Sequence, residues 1–249
     1  MNGKNGKYHR LYSDLAWLWP LWGSVEEYRE ESEEAVELIQ KHAKIEVKTL
    51  LDITCGGGKN LFHFKKHFDA YGLDISNAML DNARKLNPEC NFYLEDMRYY
   101  DLKRQFDSIY LNDGIAYITS ADDLLRTFQC AFNHLRAGGV MICYAEFCKE
   151  DLIQNKTDNT VSKTDGIEIT FIENIYDPDP EDDTFESVMI YLIREKGKLR
   201  IEHDFHLCGT FKVDVWRDLL CKAGFEVTEY PKGANTFNAP SFVCVKSKY

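Results

Sequence analysis

Short apolar runs and longer amphipathic ones alternate through much of the chain. "VKTLLDIT", "AYGLDIS", "NFYLED", "FDSIYLND" and "GVMICYAEF" are each brief, rich in apolar residues and bounded by polar ones, which predicts buried strands. Between them lie segments with helical spacing: "NLFHFKKHF", "NAMLDNARKL" behind an N-capping Ser76, and "ADDLLRTFQCAFNHL" from Ala121. The last of these is expected to end at Gly138-Gly139, where a C-cap glycine belongs. Upstream, Ser24-x-x-Glu27 is a capping box that opens a helix through Tyr28, Ala35, Leu38 and Ile39. Strands alternating with helices predict an α/β fold, a parallel sheet with helices on both faces.

After Phe147 the rhythm changes. Residues 148–165 are polar and read as a loop or irregular helix. Three β-like runs follow, "IEITFIENIY", "FESVMIYLI" and "LRIEHDFHL", separated by the turn-forming "DPDPEDD" and "EKGK". A small antiparallel sheet inserted over 148–210 is expected. The main domain then comprises 1–147 and 211–249, with an aromatic and helical cover over 1–45. A helix, "VDVWRDLLCKAGF", closes at Gly224, and the strands "EVTEYP" and "SFVCVKSK" follow. Their link has no room for a crossover helix, so the last strand should run antiparallel to its predecessor.

Composition narrows the function. With 249 residues and 44% hydrophobic content the chain can bury one sizeable core. A net charge of −11 argues against a protein that wraps nucleic acid or lies on an anionic membrane. The amino-terminal "MNGKNGKYHRLY" carries no apolar signal core, and Leu15–Trp22 is too short to span a bilayer. Eight cysteines include no C-x-x-C pair, which predicts reduced, buried thiols in the cytoplasm and no metal site.

"TLLDITCGGGKN" (Thr49–Asn60) carries the chemistry. A strand that ends in glycines and feeds a helix brings backbone N–H groups and a positive helix end close to an anion, although a tight turn alone would look the same. Asp74, at the tip of the next strand, suits the two hydroxyls of a ribose. Nicotinamide and S-adenosylmethionine enzymes share this arrangement. The dinucleotide pattern G-x-G-x-x-G fails, because Leu61 stands at its third glycine.

The segment "LLDITCGGGKN" resembles the "LLDLGCGTG" loop of class I S-adenosylmethionine-dependent methyltransferases. The resemblance continues in order through "GLDIS", "LEDMRYYDL", "FDSIYLNDGIAYI", "LRAGGVMI" and "LLCKAGFEV". It implies a Rossmann-like seven-stranded sheet with an antiparallel last strand. It also implies contacts with the cofactor: Thr54, Gly56 and Gly58 facing the methionine part, Asp52 bracing the loop or meeting the ammonium, Asp74 on the ribose and Ile75 against the adenine. Asp96 would accept from the adenine amino group, Met97 would pack beside it, and Asn112 would lie under the sulfonium. Asp96 could instead be a helix cap and Met97 simply core. Thr54 and Gly57 depart from the family pattern, which has glycine and commonly threonine there.

"YSDLAWLWPLW" with "EEYREES" is similar to the start of small-molecule N-methyltransferases of the glycine and TDP-amino-sugar type, in which tyrosines at the places of Tyr12 and Tyr28 close over the cofactor. An aromatic helix packed on the core is the competing reading of that segment. "EHDFHLCGTF" places His206, and "GIAYI" places Tyr117, where those enzymes meet the acceptor; these two are the catalytic candidates. His206 could equally face solvent. Glu146, Asp113 and Glu202 could form an acidic pocket for an amine. The resulting expectation is methyl transfer to a small-molecule acceptor, an amine nitrogen before an oxygen, by in-line displacement. Protein or RNA acceptors and a non-catalytic cofactor-binding protein are the alternatives. The inserted sheet could be a lid, a homodimer interface or both.

Overall fold

The apolar runs do form strands. In the computed structural model, which describes residues 9–164, 166–236 and 238–247, the main sheet contains β1 (Thr49–Ile53), β2 (Asp69–Asp74), β3 (Asn91–Leu94), β4 (Phe106–Leu111) and β5 (Leu135–Tyr144). It is completed by β10 (Phe225–Tyr230) and β11 (Ser241–Lys246). Residues 1–8, the start of the amino-terminal stretch "MNGKNGKYHRLY", lie outside the described residues. The strand order is β10-β11-β5-β4-β1-β2-β3; β1 to β5 run parallel, and β11 is antiparallel to both its neighbours. The fold is the α/β methyltransferase-type sheet expected, with the reversed last strand.

Helices α1 (Arg29–His42), α2 (Leu61–Phe64), α3 (Asn77–Leu86), α4 (Ala121–His134) and α5 (Val213–Ala223) flank this sheet. The sheet is buried on both faces, Phe106, Ile109 and Phe128 in one apolar cluster and Phe64, Tyr110 and Ile142 in the other. This is why β4 is apolar throughout rather than alternating. Ser76 caps α3 and Ser120 caps α4 through their hydroxyls, and the Ser24–Glu27 box opens a 3₁₀ turn leading into α1.

Three elements differ from expectation. Helix α4 stops at His134, and Gly138 and Gly139 lie inside β5. There the pairing with β4 jumps from Phe106–Leu135 to Ser108–Val140, and Gly138 takes a φ of 83° in the bulge. Helix α2 is a single turn, because mixed i−3 and i−4 bonds tighten the chain between Asn60 and Phe68. Residues 148–165 are not simply a loop. They contain β6 (Lys156–Thr164), a polar edge strand that pairs with β7 (Ile167–Tyr176). Almost every side chain of β6 is exposed, so it has no apolar alternation to betray it.

β7, β8 (Thr184–Glu195) and β9 (Lys198–Gly209) complete an antiparallel four-stranded sheet with β6. Its inner face holds Ile169, Phe171, Tyr191 and Ile193 against Leu11, Leu15 and Leu18. The aromatic segment is therefore not an amphipathic α-helix. It is two 3₁₀ turns, Arg10–Tyr12 and Ala16–Leu21, the second containing Pro20, clamped by the inserted sheet at the mouth of the main one.

Candidate active site

A cavity of about 550 Å³ opens beyond the carboxyl ends of β1, β2 and β4, where an open α/β sheet binds ligands. At the end of β1, Thr54 takes φ 65° and Gly56 φ 51°, so the chain turns back on itself at the cavity edge. The Thr54 hydroxyl donates to the Asn112 carbonyl at 2.8 Å, tying the β1 turn to the end of β4. Asp74 holds the same turn from β2: its oxygens accept from Gly56 N at 2.9 Å and Ser76 N at 2.8 Å. Burial pushes its carboxyl up, and these N–H groups oppose the shift.

Gly57 explains its own departure from the family pattern. A Cβ there would lie 2.2 Å from the Trp19 ring, so the threonine common at this place cannot coexist with that indole. Trp19 Nε1 and Asp52 Oδ2 are both buried without a partner, leaving one donor and one acceptor unsatisfied around the glycine turn. Lys59, directly after the glycines, lines the cavity with its ammonium over the rings of Trp19 (4.9 Å) and Tyr28 (5.1 Å), and it donates to the Trp22 carbonyl. Burial lowers it to about 8.

Ile75, 69% exposed, and Met97 face the cavity. So does Asp96, which is paired with Arg98 at 2.6 Å and takes the Arg98 N–H at 2.9 Å in a local turn. That guanidinium holds the Asp96 carboxyl below the usual range, and it also reaches Asp123 at 2.9 Å.

The opposite wall is made by side chains. Tyr12 and Tyr117 line the cavity, and their hydroxyls lie 2.8 Å apart. Tyr117, on the 3₁₀ turn Gly114–Tyr117, lies 2.8 Å from His206 Nδ1. His206 is fully buried and faces inward, as are Asp204 and Cys208 at alternate positions of β9, while His203 and Leu207 point out. β9 comes this close because Gly209 abuts the Ile118 carbonyl, where any Cβ would collide. Asp113 also lines the cavity, in a group of carboxylates with Glu146, Glu31 and Glu173. Asp113 and Glu146 are open to the solvent side yet hemmed in by protein, and desolvation raises Asp113 to about 6 and Glu31 to about 8. Glu146 is pushed well up by desolvation and by Asp113. Glu202 takes no part and pairs instead with Arg10 at 2.9 Å.

A methyltransferase-domain family profile matches residues 50–139, the stretch from β1 through α4 to the start of β5. The chain is 27% identical, over 90% of its length and 92% of the relative's, to a dTDP-3-amino-3,4,6-trideoxy-α-D-glucopyranose N,N-dimethyltransferase of Streptomyces venezuelae. It is 28% identical to a dTDP-4-amino-2,3,4,6-tetradeoxy-D-glucose N,N-dimethyltransferase of Saccharopolyspora spinosa, covering 82% of this chain and 81% of that one. The crystal structure of Streptomyces venezuelae DesVI superposes with a TM-score of 0.83 at 25% identity, covering 96% of this chain and 98% of that one.

The chain is an S-adenosylmethionine-dependent methyltransferase.

The cavity of this methyltransferase fits its methyl donor by independent marks: the side-chain-free turn at Gly56 and Gly57, a carboxylate at the β2 tip, and the orphaned Trp19 and Asp52 atoms. The structure brings Tyr12, Tyr28, Thr54, Gly56, Asp74, Ile75, Asp96, Met97 and Tyr117 to the lining of one cavity. Asn112 does not reach it. Its side chain follows the alternation of β4 onto the Tyr110 side and donates to that hydroxyl at 3.2 Å, while Asp113 and Gly114 face the cavity. Gly58 packs against Ala83 of α3 and its C-capping Asn87, and Asp52 lies 3% exposed beneath the turn. Sequence reasoning missed Lys59, Glu31, Asp204 and His9. Lys59 was visible as the first residue after the glycines; Asp204 was visible only as the residue that shares an inward face with His206.

Proposed function

We propose that this methyltransferase methylates the amino nitrogen of a nucleotide-linked amino sugar. The observation that carries the reading is the make-up of the acceptor wall: Asp113 with three neighbouring carboxylates beside two phenols. An amine is a cation in water and gains Coulombic attraction from acidic groups at close range that a neutral hydroxyl acceptor lacks. The two amino-sugar dimethyltransferases similar over most of the chain support the same acceptor class.

S-adenosylmethionine, when bound, supplies the electrophilic methyl carbon. The chain's own residues do the positioning. Asp74 and the Gly56 turn hold the nucleoside and amino-acid ends, Ile75, Met97 and Asp96 enclose the base, and Lys59 meets the carboxylate. Tyr12 and Tyr28 cover this half, while Tyr12, Tyr117 and Asp113 hold the nitrogen in line, where alignment itself supplies much of the rate. Asn112 supports the wall from behind.

The outer face of the inserted sheet carries Ile201, Leu207 and Leu199, all more than 40% exposed, which suits a homodimer formed through that face. Eight cysteines without a disulfide suit a reducing cytoplasmic setting. The test of the main reading is incubation with the methyl donor and a panel of dTDP-amino sugars and their hydroxyl counterparts, read by mass spectrometry. Mass gains of one or two methyl groups on amino sugars alone support it; methylation of the hydroxyl series alone overturns it.

A further inference from the structure

The hydrogen bonds behind the acceptor wall have only one consistent direction. Asp204 is fully buried; Leu11 N at 2.7 Å and Phe205 N at 2.9 Å donate to its carboxylate, and His206 Nε2 faces it at 2.9 Å as a charge contact without hydrogen-bond alignment. Burial works against ionisation, but His206 and the bonds from the Leu11 and Arg10 backbone outweigh it and hold Asp204 below the usual carboxylate range.

A nitrogen facing a carboxylate must carry the proton, so neutral His206 is protonated on Nε2 and bare on Nδ1. Nδ1 can then only accept, which makes Tyr117 the donor across their 2.8 Å contact. The Tyr117 oxygen in turn accepts from Tyr12 across 2.8 Å. The Tyr12 oxygen is thereby left with lone pairs and no proton for the cavity. Burial raises both phenols far above neutral pH, so they stay protonated between transfers. His9 lies edge-on to His206 at 5.0 Å between ring centres, and its own imidazole is kept neutral by burial and by His206.

We propose that Tyr12, Tyr117, His206 and Asp204 form a proton relay that deprotonates the acceptor nitrogen between two successive methyl transfers. This rests on the amine reading above. In the first transfer the nitrogen lone pair forms the new N–C bond, the C–S bonding pair stays on sulfur, and a methylammonium results. One N–H proton then passes to the Tyr12 oxygen, the Tyr12 proton to Tyr117, and the Tyr117 proton to His206 Nδ1. The proton is stored as an imidazolium against Asp204. The nitrogen lone pair is free again, and the second product leaves still protonated. The proton of the incoming ammonium is lost to water before the first transfer, and the relay serves the second deprotonation; after the product leaves, the stored proton returns along the tyrosines to cavity water, which restores a bare Nδ1 for the next cycle. His206 and Asp204 do not touch substrate; they act through the tyrosines.

Two measurements test this. ¹⁵N-histidine NMR of the wild-type protein, with His206 assigned by its loss in His206→Gln, should show a proton on Nε2 and a bare Nδ1. A proton on Nδ1 reverses every arrow and overturns the relay. Single-turnover and multiple-turnover mass spectrometry of Tyr117→Phe, His206→Gln and Asp204→Asn should show monomethyl product accumulating, with the second transfer slowed relative to the first by about tenfold or more. Equal slowing of both transfers, or a change confined to KM, would mean a packing role and would contradict the proposal. If the wild-type enzyme methylates no amine at all, the acceptor reading is what fails, and the NMR result still decides the direction of the chain.

Discussion

On one side of the cavity the contacts come from a single βαβ unit: Thr54, Cys55 and Gly56 at the end of β1, and Asp74 and Ile75 at the end of β2. What they present is mostly backbone plus one carboxylate. On the other side, Tyr12 and Tyr117 line the cavity, with His206 behind Tyr117 and Glu146 near Asp113; these come from distant segments, and what they supply is side chains. The first half is set by turn geometry, so it can be the same in every protein that holds the same donor. The second is assembled by the inserted sheet pressing the 3₁₀ turns of the amino-terminal segment against α3 and its cap, so it can vary with the acceptor while the donor half stays fixed.

Substitutions should separate the halves. The largest effect is expected from Asp74→Asn, which weakens the brace on Gly56 and, on the proposed reading, the contact with the ribose. Charge-assisted bonds of this kind are worth roughly 1.5–3 kcal/mol each, so affinity for S-adenosylhomocysteine should fall by about a hundredfold in calorimetric titration. Next comes Gly57→Ala, whose Cβ meets Trp19; it should destabilise by roughly 1–3 kcal/mol in chemical denaturation. Trp19→Ala in the same chain should recover part of that loss, and no recovery would break the link between the turn and the aromatic cover.

Glu31→Gln sharpens the contrast from the acceptor side. Desolvation first, then Asp113, raises Glu31 from 4.5 to about 8, with the Asn60 bond opposing. Between those values the folded chain keeps a proton that the unfolded chain has lost, so this group makes stability fall as pH rises through the window. The variant should raise the thermal midpoint by about 3 °C above pH 8 and change it little below pH 4.5. The smallest effect is expected from Thr54→Gly. Relief of a left-handed β-branched residue and loss of its bond to Asn112 nearly offset, leaving stability within about 1 kcal/mol of wild type.

The same division explains what was legible in the sequence. Strands β1, β2, β4 and β5 announced themselves because burial on both faces demands apolar runs, and the turn that lines the cavity followed from glycines and an aspartate at strand ends. β6 was not legible because an edge strand of polar residues satisfies its backbone without an apolar face. The end of α4 was misplaced because Gly138 serves a bulge in β5 rather than a cap. Trp19 over Gly57 and Asp204 behind His206 are contacts between segments far apart in the chain, and no local spacing encodes them.

The separation of the two halves is tested most directly by calorimetric titration of S-adenosylhomocysteine into wild type, Asp74→Asn and Tyr117→Phe. The account predicts that Tyr117→Phe binds within about threefold of wild type, under 1 kcal/mol, while Asp74→Asn loses most of its affinity. Comparable losses in both variants would contradict it, because the acceptor wall would then be part of the donor site.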